Sequence, residues 1–465
     1  MNKGGKEAKG PGGAVAIPPS IVPGIAWPAL PSGGDSLILA LQHQFDRSEW
    51  YAPEVLLALQ LGQLRNLCAD AARSVPFYRD RLKPFLDAEK PTLKSWRQVP
   101  LLTKNDIQAA GDALLSRRYP ESHGQVGDIW TTGSTGQPIR VKSTDITRLF
   151  LAALNLRYHR WHRRDFTATV AAILVGGLLA VDDQSGTEEK PKPWVPAYGT
   201  GRMFSKTVRS EIGAQLDWLV KVKPDYLTTY PTNLAALVER SRITGVVPEG
   251  LRQVSTQGEV LDEAVRAACR KVWGATVADV YSAQETGMIA AQCPEVMHFH
   301  IQAESALVEI LDRRDEPCGP GESGRVVVTA LHNFAMPLIR YDIGDWATVG
   351  PPCSCGRGLP VISNILGRSR NMLRLPSGDV TWPLFFSRGM GDVAPEIRQG
   401  QLVQTGPGDL VFRIVAPPLG AEKEARLREA VLKRLGFPFA LSLEYVESIS
   451  ARPNGKFEDF VSLLA

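Results

Sequence analysis

The chain has 465 residues, of which 44% are hydrophobic and 22% are charged, and its formal net charge is +4. This length predicts two or three structural units, and the charges are interspersed without the basic run that is typical of nucleic-acid-binding proteins. No apolar run reaches the roughly 18 residues of a membrane-spanning helix. From these two observations we expect neither nucleic acid nor a membrane as a partner.

The first 35 residues are rich in glycine and proline and lack the compact apolar stretch of a secretory signal. This composition predicts a disordered tail and argues against export. The six cysteines are too sparse for a disulfide scaffold in a chain of this length. We therefore expect a cytoplasmic protein in a reducing compartment.

The predicted elements change in character along the chain. Residues 36–120 carry apolar side chains at helical spacing. From about residue 125 to 345, runs such as TVAAILV, DYLTTY and TVADVY alternate with helical stretches, which predicts an α/β sheet. RVVVTAL and PLIRYDIG predict further strands of a barrel-like subdomain. Beyond residue 368, DLVFRIV, KEARLREAVLKRLG and FALSLEYVESI predict a small α+β domain.

The stretch TTGSTGQP at 131–138 is a candidate phosphate-binding loop. It is not a Walker A loop, because Gln137 follows Gly136 where that motif requires a lysine. Its backbone N–H groups and hydroxyls would suit phosphate oxygens. An ordinary Ser/Thr/Gly turn has the same composition, so the stretch alone leaves both interpretations open.

Three further stretches carry residues suited to a nucleotide. In YSAQETG, Tyr281 would stack on a base and Glu285 would hold Mg²⁺, although Glu285 also suits a helix N-terminus. In RYDIGDWATV, Asp345 follows a glycine and would accept hydrogen bonds from two ribose hydroxyls. In ARPNGKFED, Lys456 lies in a glycine-flanked turn, where an isolated lysine is usually a solvated surface residue.

Together these stretches resemble the adenylate-forming superfamily of acyl-CoA synthetases and related ligases. The resemblance is closest to the phenylacetate–CoA ligase branch, which includes coenzyme F390 synthetase-like and capsule-locus proteins. It runs from about residue 45 to the end and is most specific over 336–369. The supporting stretches are SVPFYRDRL, PLLTKNDI, TTGSTGQP, KPDYLTTYP, YSAQETG, MPLIRYDIGD, CSCGRGLPVISNILGRS and RPNGK.

The resemblance implies an α/β fold with a large multi-subdomain N-terminal adenylation domain and a small mobile α+β C-terminal domain. We expect a tail over residues 1–35, the adenylation domain over 36–367 and the C-terminal lid over 368–465. A hinge near 368–371 would let the lid rotate between two half-reactions. Where relatives often carry an acidic pair after G-R-x, this chain has Arg370 and Asn371.

The resemblance also implies roles for individual residues. The residues of the mobile phosphate loop would be Thr131, Thr132, Ser134, Thr135 and Gly136. Those lining the adenine pocket would be Gly258, Glu259, Tyr281 and Ser282. Glu285 would coordinate Mg²⁺, and Asp345, supported by Arg368, would hold the ribose hydroxyls. Lys456 would contact the carboxylate and the α-phosphate, so that Lys456, Glu285 and Thr135 are the expected catalytic residues.

The implied reaction converts an aryl or arylacetic acid and ATP into an acyl adenylate and pyrophosphate, and then transfers the acyl group to the thiol of CoA. A lysine and Mg²⁺ would stabilise the charge that builds on the phosphate oxygens. The altered hinge leaves transfer to an amine, a hydroxyl or a carrier protein open. A nucleotide-binding homologue without catalysis is the remaining alternative, and a homodimer is compatible with the resemblance.

Some of the cysteines are candidate metal ligands. The pair Cys353 and Cys355 is tighter than the familiar zinc spacing and would be incidental by itself. Some members of the branch carry a Cys…His…Cys-x-Cys set that resembles a structural zinc site. Aligning HIQAESALVEI places the histidine at His300 rather than His298. The resemblance thus implies a Zn²⁺ site of Cys293, His300, Cys353 and Cys355.

The sequence does not identify the acid. Proximity to the motifs makes Tyr230, Pro231, Thr256 and Ala283 candidates for the acyl pocket. His159 and His162 in RYHRWHRRD lie at helical spacing. We interpret them as a solvated helix face, with a phosphate or CoA contact as the alternative.

Overall fold

The computed structural model describes residues 16–130, 139–175, 193–368, 372–376, 380–381, 393–394, 396–449 and 460–464. The α-helices in these ranges are α1 (Gly33–Ser48), α2 (Pro53–Ser74), α3 (Lys83–Leu86), α4 (Leu93–Trp96), α5 (Lys104–Ala110), α6 (Asp145–Trp161), α7 (Ile212–Val222), α8 (Pro231–Thr244), α9 (Glu263–Trp273) and α10 (Ala421–Leu435).

The strands of the first two-thirds of the described chain are β1 (Val126–Trp130), β2 (Arg140–Thr144), β3 (Val170–Leu174), β4 (Met203–Thr207), β5 (Tyr226–Thr229), β6 (Gln253–Gln257), β7 (Thr276–Ala283), β8 (Gly287–Gln292), β9 (Phe299–Ile301) and β10 (Ala306–Leu311). Those that follow are β11 (Ser323–Ala330), β12 (Tyr341–Val349), β13 (Val361–Arg368), β14 (Leu373–Arg374), β15 (Val380–Thr381), β16 (Gln399–Gln404), β17 (Asp409–Val415), β18 (Ala440–Tyr445) and β19 (Phe460–Ser462).

Side chains at the helix starts explain where several helices begin. Thr103 and Asp106 form a reciprocal capping box at the start of α5, and Thr144 and Thr147 form one at α6. α2 begins with Pro53, whose missing N–H costs nothing in the first turn. These caps satisfy backbone donors that the first turn leaves unpaired.

The parallel half of an 11-stranded sheet confirms the predicted strand–helix alternation. Strands β4, β3, β5, β6 and β7 lie side by side and run parallel. Helices α7, α8 and α9 bury apolar faces against these strands in one continuous core. Parallel neighbours require crossover connections, which these helices provide.

The other half of this sheet is antiparallel, in the order β10-β11-β12-β13-β9-β8-β7. RVVVTAL lies in β11 as predicted, but these strands continue the large sheet and do not form a subdomain of their own. The prediction of a strand over PLIR was wrong, because β12 begins only at Tyr341. The backbone just before it turns at Arg340, which has a φ of 50°.

Helix α6 packs into a different hydrophobic core from helices α3, α4 and α5. Its residues Ala153, Leu154 and Leu156 are buried in a core shared with α1 and with strands β7 and β8. The interpretation of His159 as solvated was wrong, because its ring packs edge-on against Trp194 and Nδ1 lies 2.9 Å from an Arg164 nitrogen. Tertiary packing thus covers a face whose composition is polar.

The last part of the described chain has a separate core. Strands β18, β17, β16 and β19 form a four-stranded sheet, and α10 packs against it. Leu402, Phe412 and Leu427 belong to this core, which begins at Leu373. The expected strand, helix and strand correspond to β17, α10 and β18. None of the described helices combines the length and apolar character needed to span a bilayer.

Candidate active site

Tyr281, Asp345 and Arg368 are far apart in the sequence but meet beside the end of β7. The Tyr281 hydroxyl donates to Asp345 Oδ2 at 2.9 Å. The Arg368 Nε lies 3.3 Å from the other carboxylate oxygen, Oδ1. Burial raises the pKa of Tyr281, and the neighbouring Asp345 charge adds to the effect, so the phenol stays a donor. The Asp345 carboxylate is thus oriented from two sides.

Local backbone geometry explains the glycine in front of Asp345. Gly344 has a φ of +79°, where a side chain would be strained, and its N–H donates to Asp342 Oδ1 at 3.0 Å. The following residue, Asp345, pairs across the sheet with Arg368. The turn at Gly344 and the pairing of β12 with β13 therefore place the carboxylate and the guanidinium together.

Glu285 lies in the turn between β7 and β8, where Ala283 pairs with Gly287. Burial raises the pKa of Glu285, and the Asp345 charge acts in the same direction, whereas Arg368 and Lys104 oppose the rise. A nearby divalent cation stabilises the ionised form of a carboxylate that is partly desolvated and lies beside a like charge. The chemistry of Glu285 therefore fits the predicted Mg²⁺, for which carboxylate oxygens are preferred ligands.

Gly258 and Glu259 follow the neighbouring strand β6. Gln257, the last residue of β6, pairs with Val280 of β7, which brings Gly258 beside Tyr281. Glu259 Oε2 accepts hydrogen bonds from the backbone N–H and the hydroxyl of Thr232, at 3.0 and 2.8 Å. Glu259 thereby stabilises the first turn of α8. The adenine-pocket roles of Gly258, Glu259 and Ser282 stay predictions.

Several of the predicted residues lie outside the described ranges. These are Thr131, Thr132, Ser134, Thr135 and Gly136 of the candidate phosphate loop, Lys456, and the hinge residues Arg370 and Asn371. The described chain flanks the candidate loop on both sides, since β1 ends at Trp130 and β2 begins at Arg140. The roles assigned to these residues stay predictions.

The candidate acyl-pocket residues are used within the fold in different ways. The Tyr230 hydroxyl accepts a hydrogen bond from the Val175 N–H at 3.3 Å. Thr256 is buried and donates to Asp279 Oδ1 at 2.7 Å, so its hydroxyl already has a partner inside the sheet. Pro231 begins α8, and Ala283 ends β7.

The predicted zinc ligands converge. One ligand atom each from Cys293, His300, Cys353 and Cys355 all lie within 4.8 Å of one another. The Sγ atoms of Cys293 and Cys353 are 3.9 Å apart, and Cys355 Sγ is 3.4 Å from His300 Nε2. Ligands at about 2.3 Å around a tetrahedral Zn²⁺ would be separated by about 3.8 Å. The donor set and its spacing therefore fit zinc.

The electrostatics of this cluster also suit a dication. Burial raises the pKa of Cys293 and of Cys353, so both thiols need a positive partner to ionise near neutral pH. Burial lowers the pKa of His300 to about 4, and His298 adds to the effect, which keeps His300 neutral as a metal ligand must be. A bound Zn²⁺ would supply the missing charge.

Sequence reasoning set His298 aside as a zinc ligand and missed Arg357, Glu49 and Lys104 as neighbours of these sites. His298 Nε2 lies 2.9 Å from Cys353 Sγ, beside the His300 set. Arg357 hydrogen-bonds Cys355 and lies 3.2 Å from Glu49 Oε1, which connects the cysteine loop to the end of α1. The positive charge of Lys104, on α5, lowers the pKa of Glu285. No local pattern marks such contacts, because each joins segments that are distant in sequence.

Comparisons with known proteins find relatives of this chain in sequence. No family model matches the chain. The phenylacetate–coenzyme A ligase of Thermus thermophilus is 28% identical over 340 residues, covering 69% of this chain and 72% of the relative. That of Escherichia coli is 27% identical over 349 residues, covering 71% and 75%.

A solved structure supports the fold. The crystal structure of 2-hydroxyisobutyryl-CoA ligase, in its postadenylation state with 2-HIB-AMP, superposes with a TM-score of 0.71. The match covers 90% of this chain and 91% of that one at 19% identity. The chain is thus similar in sequence to the phenylacetate–coenzyme A ligases and has the fold of this acyl-CoA ligase.

Proposed function

We propose that the protein activates a carboxylic acid with ATP and transfers the acyl group to the thiol of CoA. A carboxylate oxygen attacks the α-phosphorus, the bond to the β-phosphate breaks, and pyrophosphate leaves. The CoA thiolate then attacks the acyl carbon and AMP leaves. The observation that carries the proposal is the convergence of Tyr281, Glu285, Asp345 and Arg368 beside the end of β7 in a homologue of CoA ligases.

Each of these side chains would contact a different part of the nucleotide. Tyr281 would present its ring to the adenine, and its hydroxyl holds the Asp345 carboxylate for the two ribose hydroxyls. Arg368 keeps Asp345 oriented from the other side. Glu285 would hold Mg²⁺, which offsets the phosphate charge when bound. Thr135 in the phosphate loop and Lys456 would contact the reacting phosphate.

The test is acid-dependent exchange of labelled pyrophosphate into ATP, with a panel of aryl, arylacetic and aliphatic acids. We expect exchange with one acid class and its loss, by roughly 100-fold or more, in Lys456→Ala, since one preorganised charge contributes about that much. Lys221→Ala, an exposed lysine on α7, is the matched control and should retain full activity. ATP binding without exchange for any acid would contradict the proposal and favour a non-catalytic homologue.

A second candidate concerns the acceptor. The hinge sequence carries Arg370 and Asn371 where relatives often have an acidic pair, which leaves an acyl acceptor other than CoA as the alternative. Product analysis with an acid that supports pyrophosphate exchange, in the presence and absence of CoA, distinguishes CoA from another acceptor. A thioester supports CoA transfer, whereas free acyl adenylate in the presence of CoA supports an amine, hydroxyl or carrier-protein acceptor.

We further propose a structural Zn²⁺ held by Cys293, His300, Cys353 and Cys355. The site would tie the loop after β8 to the loop before β13. Metal analysis of the purified protein should find about one zinc per chain, and Cys355→Ser should lower it. Cys318→Ser, at a cysteine outside the set, is the matched control. Equal metal content in the wild type and Cys355→Ser would contradict the site.

We also propose a cytoplasmic location and a homodimer. The six cysteines are all free, which supports a reducing compartment. Light scattering of the purified chain would measure its mass in solution, and a monomer at micromolar concentration would contradict the dimer.

A further inference from the structure

A cavity of about 40 Å³ lies between α6, the start of β8 and the loop that follows β11. Phe150, Leu151 and Met288 form apolar parts of its wall. Its polar lining residues are Thr147, Thr286, Ser305, His332 and Asn333. A space of this size holds a group of a few heavy atoms.

The position of the cavity connects it to the proposed reaction. Thr286 directly follows Glu285 in the turn between β7 and β8, and Gly287, the first residue of β8, lines the cavity as well. The cavity therefore begins one residue away from the proposed Mg²⁺ ligand. An acyl group attached at the α-phosphate could extend into it.

Two of the lining residues each carry a buried polar atom that has no hydrogen-bond partner among the residues that the structure describes. These atoms are Thr286 Oγ1 and His332 Nδ1. The His332 ring stacks on Phe150 with centroids 3.6 Å apart and planes 11° apart, which fixes its orientation. A buried polar atom without a partner costs about 1–3 kcal/mol, so such a pair favours a ligand that supplies the missing hydrogen bonds.

The charge of the wall restricts the ligand. Burial lowers the pKa of His332 to about 4, with a contribution from His123, so the ring is neutral at physiological pH. The described residues that line the cavity include no aspartate, glutamate, lysine or arginine. A charged group would be desolvated there without a counter-charge. The cavity therefore suits an uncharged group with an apolar body and a hydrogen-bonding atom.

We propose that this cavity receives the far end of the acyl group, and that the acid carries a hydroxyl or a similar neutral polar group recognised by Thr286 and His332. The inference rests on the proposed function, since it presumes that an acid is activated beside Glu285. It makes Thr286 and His332 specificity-determining residues, which favour a hydroxylated acid over the parent acid.

The test compares acid pairs that differ by one hydroxyl, such as phenylacetate and its 3-hydroxy and 4-hydroxy forms, in pyrophosphate exchange. Thr286→Val keeps the shape and removes the hydroxyl, and His332→Phe keeps the stack on Phe150 and removes Nδ1. We expect each variant to lower the ratio of kcat/KM for hydroxylated over parent acid by about tenfold, because one neutral hydrogen bond is lost. The ratio is insensitive to a general loss of active protein.

His123→Phe is the matched control. His123 is also packed against a phenylalanine, Phe334, and its Nδ1 likewise has no partner among the described residues, but it does not line the cavity. This variant should keep the wild-type ratio. An equal drop in His123→Phe would overturn the assignment of the effect to the cavity.

The outcomes separate this inference from the proposed function. Exchange that continues with unchanged ratios in Thr286→Val and His332→Phe overturns the inference alone. A raised KM for CoA with unchanged acid preference also overturns it, because the cavity would then serve the thiol arm. Absence of exchange with every acid contradicts the proposed function. In that case the rise in Tm on adding a hydroxylated acid is compared between the wild type and Thr286→Val. A smaller rise in the variant supports binding of the acid in the cavity, and an equal rise overturns the inference.

Discussion

Replacing Arg157 by methionine should destabilise the protein strongly. The guanidinium is 1% exposed and forms a bidentate ion pair with Glu304, with N···O distances of 2.6 and 2.9 Å. It also donates to Gln302 Oε1 and to the Phe45 carbonyl, each at 3.0 Å. One side chain on α6 thereby holds both α1 and the segment between β9 and β10.

The expected loss is about 3–5 kcal/mol, the range for breaking a buried ion pair by removing one partner. The loss arises because the Glu304 carboxylate stays buried without its counter-charge. Burial by itself raises the pKa of Glu304, but Arg157, with hydrogen bonds from Ser48 and the backbone, more than offsets this, so that the pKa is lowered in the folded protein. Such a loss is a large fraction of the roughly 5–15 kcal/mol that stabilises a typical domain.

Urea unfolding followed by tryptophan fluorescence and circular dichroism measures the effect. Arg160→Met is the matched control on the same helix, since its ion pair with Asp46 at 2.9 Å is about two-fifths exposed on both sides. We expect that variant to lose less than about 1 kcal/mol. The double variant Arg157→Met/Glu304→Gln should recover part of the loss. Equal losses for Arg157→Met and Arg160→Met, or no recovery in the double variant, would refute the reasoning.

Three further predictions concern the nucleotide site, the sheet and the cysteine loop. Asp345→Ala should raise the KM for ATP in the exchange assay by roughly tenfold or more, because hydrogen bonds to a charged group contribute about 1.5–3 kcal/mol each; an unchanged KM would contradict the ribose role. Burial raises the pKa of Asp279 to about 7, so the folded protein holds a proton that the unfolded chain releases from about pH 4 upward. The free energy of unfolding should therefore fall as the pH rises to about 7, by at most about 1.4 kcal/mol per pH unit. Denaturant titrations at several pH values should find a weaker pH dependence of this free energy in Asp279→Asn. In Gly358→Ala, the added methyl group would collide with the Tyr51 backbone carbonyl, so we expect a lower Tm, and a wild-type Tm would indicate that this contact is not required.

The strand–helix alternation was predictable from the sequence because it is local. Apolar periodicity identified the parallel half of the sheet and the C-terminal strand, helix and strand. The metal hypothesis used four residues spread over 63 positions, and it placed the histidine at His300, which the structure brings into the cluster. In that case the resemblance to a family supplied the long-range information that spacing alone lacks.

The failures share a physical cause. PLIR has the composition of a strand but precedes β12, since Arg340 adopts a φ of 50° and its side chain is held in a buried ion pair with Glu309. His159 has polar neighbours in sequence but lies against Trp194. In both cases, partners from distant segments decide the outcome, and neither helical nor strand periodicity contains them.

The sequence by itself determined the alternation of strands and helices in the parallel half of the sheet, because apolar periodicity depends on neighbours along the chain. The expected nucleotide-site residues and zinc ligands came from the resemblance to a family. Only the tertiary structure decided that Tyr281 donates to Asp345, that Arg157 bridges α1 to Glu304, and that Thr286 and His332 line one cavity. Each of these contacts joins residues more than 40 positions apart. Their energies depend on burial and on distances of a few ångströms, which arise when the sheet and helices pack.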